Sequence, residues 1–324
     1  MLLERKDLPK TKTQPINIFK DDKIYSFDRD SSYVEITRMS EKISDSTFAI
    51  DNKTMDVIKS FDNPEIEFNE DSKELIIKKG KMKFKAKTFE YQLPQFNLEN
   101  LQECKVDVEK LKIARKFTAS VETRPILTSV CLKPNGTLYA SDSYVAFRHF
   151  NGVCEEKGIN IPNTFIDLLN GLNGAILIRF NDYCVVVEDD NHLFVGKLIV
   201  GEFLKLDRMM SANGNEITYN YDELKDCCTF ANKVGKGNDN SGVIICKFEN
   251  DRFKAFGLSE FESELICEKT KDFKVYITIE RLQLLLDVAN EKEKITIQNA
   301  GLTYPIYYQK NNDTFVITPI RSDL

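Results

Sequence analysis

The chain has 324 residues, with 45 Lys and Arg against 51 Asp and Glu, a net charge of −6, and 42% hydrophobic content. That apolar content excludes a disordered chain, and the length suffices to bury a large core in two or three domains. The acid excess leans against an ordinary nucleic-acid binder, although a local basic face is compatible with it.

The opening MLLERKDLPK has no long apolar stretch, and the longest apolar runs fall far short of the ~20 residues that span a bilayer. A soluble, cytoplasmic protein without membrane contact is expected. Eight cysteines (Cys104, Cys131, Cys154, Cys184, Cys227, Cys228, Cys246 and Cys267) include no C-x-x-C pair and read as small buried thiols in a reducing compartment. His149 and His192 lack metal-ligand spacing, and Gly235-Lys-Gly237 is a turn-like fragment, not a phosphate loop. No catalytic residue, metal or cofactor is expected, so the chain does not read as an enzyme.

In chain order, strands are expected at 16–19 and 24–27 around Asp21-Asp22. A short strand then enters a helix at Ile50-Asp-Asn-Lys-Thr-Met-Asp-Val-Ile58, with Asn52 as candidate N-cap. Strands 65–68, 75–77 and 83–89 follow. A helix runs from Val106 to about Ser120, then strands 130–132 and 138–141 flank Pro134-Asn135-Gly136, a strong hairpin signal. Ile161-Pro-Asn-Thr-Phe-Ile-Asp-Leu-Leu169 again enters a helix, with Asn163 as candidate cap, before strands 176–180, 184–188 and 193–198. Beyond the turn-rich Ser211-Ala-Asn-Gly-Asn215, a helix runs from Tyr219 to about Val234. Strands 243–248 and 253–256 follow around Glu249-Asn250-Asp251. Ile277-Thr-Ile-Glu-Arg-Leu-Gln-Leu-Leu285 enters the last helix, ahead of strands 295–298, 306–309 and 314–319.

The three strand-into-helix segments align without gaps at offsets of 111 and 116 residues, bringing Met55, Ile166 and Leu282 together, and likewise Ile58, Leu169 and Leu285. Their apolar positions recur at three- and four-residue steps, as an amphipathic helix requires. The chain therefore reads as three repeats of about 110 residues. The positive charge is local. On a wheel of residues 109–119, Ile113, Ala114 and Phe117 gather on one side, while Lys112, Arg115 and Lys116 fall opposite. On the later helix Leu224, Cys227, Phe230, Ala231 and Val234 form the inward stripe, and Lys225 and Lys233 face out, with Lys236 following. Such faces suit phosphate contacts that do not read sequence.

Several stretches carry a family likeness. Leu138-Tyr-Ala-Ser-Asp-Ser-Tyr-Val-Ala146 resembles Ala-Thr-Asp-Gly-His-Arg-Leu, and Lys197-Leu-Ile-Val-Gly-Glu-Phe203 resembles Lys-Leu-Val-Asp-Gly-Arg-Phe. Phe89-Glu-Tyr-Gln-Leu-Pro-Gln-Phe96 resembles the exit from a first domain, and Val316-Ile-Thr-Pro-Ile-Arg321 a terminal Val-Met-Pro-Met-Arg-Leu. In order and spacing these resemble the bacterial DNA polymerase III beta subunit, the beta sliding clamp, in a divergent form such as a phage or mobile element carries.

The resemblance implies an α+β fold of three DNA-clamp domains, at 1–101, 102–211 and 212–324. Sheets would lie outside and helices inside, in a crescent forming half of a ring. It implies a sliding clamp, a processivity factor encircling duplex DNA as a head-to-tail homodimer, with DNA polymerase and clamp loader docking through short peptides. Lys112, Arg115, Lys116, Lys225, Lys233 and Lys236 would face the DNA, with Lys53, Lys59 and Arg281 from the other helices. The peptide groove would take Leu127, Ser141, Ser143, Tyr144, Val145 and Ala146, then Leu204, Arg208, Met209 and Leu284. Val316, Ile317, Thr318, Pro319, Ile320 and Arg321 would complete it. Leu127 and Ile317 read equally well as plain core. Phe84 and Ala86 would lie at the dimer interface.

Ser143, Tyr144 and Val145 replace the family's Gly, His and Arg. Only Met1 to Thr13, with Pro9, precede the strand at Ile16, so the first domain is expected to lack one inner helix. An alternative reading is a clamp-like adaptor that binds partner peptides without encircling DNA.

Overall fold

The computed structural model describes residues 2–11, 14–30, 32–121, 123–153, 157–211, 214–235, 245–249, 251–256, 260–269 and 274–320. In the first third, Leu2 bridges Glu65 and a 3-10 turn, Arg5–Asp7, follows. Then come β1 (Ile16–Lys20), β2 (Lys23–Phe27), β3 (Tyr33–Arg38), β4 (Phe48–Asp51), α1 (Asn52–Ser60), β5 (Glu65–Asn69), β6 (Glu74–Lys79) and β7 (Met82–Lys87). The second third holds β8 (Gln102–Asp107), α2 (Val108–Arg115), β9 (Ser129–Leu132), β10 (Leu138–Ser141) and β11 (Val145–His149). It continues with β12 (Ile159–Pro162), α3 (Asn163–Leu168), β13 (Ala175–Phe180), β14 (Cys184–Asp189) and β15 (His192–Lys197). The last third holds β16 (Asn215–Asn220), α4 (Tyr221–Gly235), β17 (Ile245–Glu249), β18 (Arg252–Phe256), β19 (Glu260–Glu264) and β20 (Cys267–Lys269). It ends with β21 (Lys274–Thr278), α5 (Ile279–Ala289), β22 (Lys294–Asn299), β23 (Ile306–Lys310) and β24 (Asp313–Ile317).

A succession of four strands, a helix and three strands thus occurs three times, with β20 as an addition and with a strand and helix ahead of it in the second and third copies. The same backbone hydrogen bond anchors the entry of each copy. Leu3 N–H donates to Pro64 O, Val108 N–H to Gly174 O and Tyr221 N–H to Glu293 O, at 2.9–3.0 Å, and all three anchors are buried. In the second and third copies a helix, α2 or α4, starts at this anchor. In the first, residues 4–11 form the 3-10 turn and a non-helical strap instead.

The strap is held along its length. Leu3 and Leu8 enter a core with Phe19, Ile24, Met55, Ile58 and Leu75. The buried Asp7 carboxylate accepts from Glu4 N–H, Ser40 N–H and Ser40 Oγ at 2.8–3.0 Å. Glu35, fully buried, accepts from Lys10 N–H at 2.6 Å, from Thr11 N–H at 3.1 Å and from the Thr11 hydroxyl. A buried carboxylate is tolerable only with such a set of donors.

The chain divides into two compact units, Met1–Glu109 with Ile159–Val200, and Lys110–Gly158 with Gly201–Leu324. Residues 102–211 are thereby shared between them. The cause is strand pairing across repeats. In the first unit one sheet runs β4-β1-β2-β3-β15-β14-β13-β8 beside the three-stranded β5-β6-β7. In the second, one runs β9-β10-β11-β24-β23-β22-β16-β20 beside β21-β17-β18-β19. Within β15, Gly196 lets Phe165 of α3 lie against the strand: a Cβ there would meet the ring at 2.4 Å.

Several expected boundaries differ. The N-cap of α1 is Asp51, whose carboxylate accepts from Thr54 N–H at 2.8 Å, and that of α3 is Pro162, so Asn52 and Asn163 are first helical residues. The second-repeat helix ends at Arg115, not Ser120. There the N–H groups of Lys116, Phe117 and Thr118 bond three residues back, and the Thr118 hydroxyl donates to Arg115 O. On α4 the buried stripe runs through Leu224, Cys228 and Ala231, whereas Cys227 is half-buried and Phe230 is 54% exposed.

Candidate nucleic-acid and partner-docking surfaces

The candidate cations divide by environment. Lys112 and Lys225 are equivalent, each four residues beyond its repeat's anchor, and both are half-buried. Lys225 lies 5.5 Å from the ring centroid of Tyr221, a cation–π contact that holds the stem against the helix. Arg115 is half-buried and donates to Thr118 Oγ1 at 3.2 Å, while Lys116, Lys233 and Lys53 are exposed. Lys59 has an internal partner: its ammonium donates to Thr11 O at 2.9 Å, and burial lowers its pKa. Lys236 lies outside the described residues.

Arg281 lies beside Tyr144. Its guanidinium stacks 4.3 Å over the Tyr144 ring, and burial lowers its pKa. Tyr144, 56% exposed, is held by its backbone: its carbonyl accepts from Thr318 N–H and Thr318 Oγ1, both at 2.8 Å. Ser143 reaches φ +84° where the resemblance puts a glycine, and its N–H donates to Ser141 Oγ.

Of the expected groove residues, Leu127, Ser141, Val145, Ala146, Val316 and Ile317 are buried, the first as core and the rest within strands or at their ends. Ser143, Tyr144, Leu204, Arg208 and Met209 are exposed, and Leu284, Thr318, Pro319 and Ile320 are half-buried. Arg321 lies outside the described residues. The residues that seat the connecting segment were not expected. Leu206 and Met210, with Phe203, pack on Cys131, Tyr139, Ala146, Tyr307 and Val316, and the Tyr139 hydroxyl donates to Asp207 at 2.8 Å. Their signal was the three- and four-residue spacing of Phe203, Leu206 and Met210. The outcome is an apolar floor with Leu204 and Met209 left at the surface, chemistry suited to Leu or Phe anchors of a peptide.

Among the terminal strands of the sheets are β7, which ends the three-stranded sheet, and β19, which ends the four-stranded one. On β7 the sequence is MKFKAK, with Phe84 40% exposed and Ala86 buried; on β19 it is EFESE. No helix among the described residues is long and apolar enough to cross a membrane, and none of their His, Cys, Asp and Glu form a group able to hold a metal ion.

The three-copy architecture is that of a DNA sliding clamp. More particularly, the chain has the fold of DNA polymerase III beta subunits. A putative beta subunit from Eubacterium rectale matches at a TM-score of 0.77 and 17% identity, covering 97% of this chain and 94% of its own. The subunit from Pseudomonas aeruginosa matches at 0.78 and 16%, covering 97% and 95%. That from Borrelia burgdorferi, solved with a natural product, matches at 0.76 and 17%, covering 98% and 94%. No protein-family model and no curated protein matches the sequence.

Proposed function

We propose that this chain is a sliding clamp: a non-catalytic processivity factor that encircles duplex DNA as a head-to-tail homodimer and tethers a DNA polymerase, and in turn a clamp loader, by short peptides. The observation that carries the reading is the thrice-used unit, matched to polymerase clamps along nearly the whole chain. A ring is retained by topology, so weak phosphate contacts that ignore sequence suffice. The net charge of −6 keeps the exterior repulsive while cations on the inner helices attract the duplex. Lys112, Arg115, Lys116, Lys225 and Lys233 take that role, with Lys53 in support and Lys236, next in sequence after α4. Lys59 and Arg281 serve the strap and the groove. Partner peptides lie over the Ala146 and Val316 floor, against Tyr144, Leu204, Met209 and Ile320.

The test is loading onto nicked circular DNA. Retention on the circle and loss on linearisation are expected. Changing Lys112, Arg115 and Lys116 together to Glu should bring clamp-stimulated synthesis to the unstimulated level with the circular dichroism spectrum unchanged; full stimulation by that variant refutes the assignment. The strap, standing where the other repeats have a helix, favours one second reading, an adaptor that binds peptides without encircling DNA. That reading expects peptide binding with no retention on circles.

A further inference from the structure

The terminal strands β7 and β19 have internal counterparts. β3 pairs with β15, and β11 with β24, each time the third strand after the entry segment against the last strand of a repeat. β19 and β7 are the remaining strands of those two kinds. Their mutual register follows from hydrogen-bonded pairs within the chain. Met82, His192 and Asp313 each follow a two-residue turn that opens at positive φ, on Gly80, Asp190 and Asn311, which makes Phe84, Phe194 and Phe315 equivalent. Ile16 pairs with Asp51 and Phe27, and Ile245 with Thr278 and Phe256, where Asp51 and Thr278 are the N-caps of α1 and α5. Phe27 then pairs with Val34, and Phe256 with Glu260, so Glu35 is equivalent to Phe261. Glu35 stands opposite Phe194, and Phe147 opposite Phe315. If β19 and β7 of two copies paired in the same register, Phe261 would stand opposite Phe84.

The packing makes the same assignment independently. Phe147 and Phe315 lie 5.1 Å apart, with Phe117 at 5.6 and 5.5 Å from them, and all three are fully buried. Phe117 and Phe230 stand at the same distance from their anchors, Val108 and Tyr221. Phe230 meets Phe261 at 5.2 Å, yet it is 54% exposed, and Phe84 is 40% exposed. Two members of a second triad are thus assembled without the third.

We propose that Phe84 of a second copy completes this triad with Phe230 and Phe261, setting Lys83 opposite Glu262 and Lys85 opposite Glu260. The proposal rests on the head-to-tail reading and fixes its register. The lysines of β7 against the glutamates of β19 supply the charge complementarity, and two different surfaces in contact close a ring when each copy uses both.

Sedimentation of the full chain at micromolar concentration tests this. The wild type is expected to be a dimer. Phe84→Asp, at a surface position, should weaken it roughly 100-fold or more, with an unchanged circular dichroism spectrum. Lys83→Glu or Glu262→Lys alone should weaken it by up to about tenfold, and the two in one chain should return it to within about threefold of wild type. A monomeric wild type, a Phe84→Asp chain that stays dimeric, or no recovery in the charge swap would each overturn the proposal. Mass is measured without DNA or loader. The register can therefore fail while retention on circles succeeds, and retention can fail while the dimer stands.

Discussion

Asp313 shows how much one side chain can join. It is buried at the start of β24, opposite His149 on β11, whose Nδ1 lies 2.7 Å from its carboxylate, and it also pairs with Lys110 of α2. Burial pushes this carboxyl up, but the hydrogen bonds from His149 and Lys110 outweigh it and hold it below the ordinary value of 3.8. A carboxyl held low stabilises the fold at neutral pH, and that contribution is lost as pH falls through its folded value. Asp313→Asn should cost roughly 2–4 kcal/mol at pH 7, and the gap to wild type should close below about pH 3.8; urea unfolding across that range measures both. None of this was legible in the sequence, where Asp313 is one acid among 51 and Lys110 lies 203 positions away. Ser143 and Tyr144, by contrast, were found through the motif they alter. The left-handed backbone at Ser143 explains the glycine expected there, since a Cβ is disfavoured at that φ.

Among elements, the hairpin strands were the most legible. Their alternation and two-residue turns are local signals, and local hydrogen bonds make them. The helix ends were less so: an N-cap moved by one residue at Asp51, and α2 gave way to a tight turn where the Thr118 hydroxyl competes for Arg115 O. The strap carries no periodicity, because what orders it is a carboxylate in β3. Glu35→Ala would leave the Lys10 and Thr11 N–H groups without their acceptor. Such a variant should lose about 2–3 kcal/mol of stability, and trypsin should cut at Arg5, Lys6 or Lys10 at least about tenfold faster. Equal cleavage rates would show that Leu3, Leu8 and the hydrogen bonds of Asp7 and Lys59 suffice to hold the strap.

At the scale of the whole molecule, three repeats were legible because apolar positions align without gaps. Their grouping into two compact units was not, because β3–β15 and β11–β24 pairing is long-range and follows from register, not from composition. A dimer built on Lys–Glu ladders should respond to salt, since the Debye length shrinks from about 10 Å at 0.1 M to about 3 Å at 1 M. Dimer dissociation measured between those limits should rise severalfold for the wild type and distinctly less once Lys83 and Glu262 are both Gln.

Glu35 also bears on how such a chain can change. It holds the position that Phe147 fills in the next repeat, and it does so as the acceptor for a segment that has no helix. Grafting a helix like α2 ahead of β1 would seal an orphaned carboxylate beneath it; installing Phe alone would cast the strap loose. Each step is harmful singly and tolerable only together, an epistatic lock between position 35 and the segment ahead of β1.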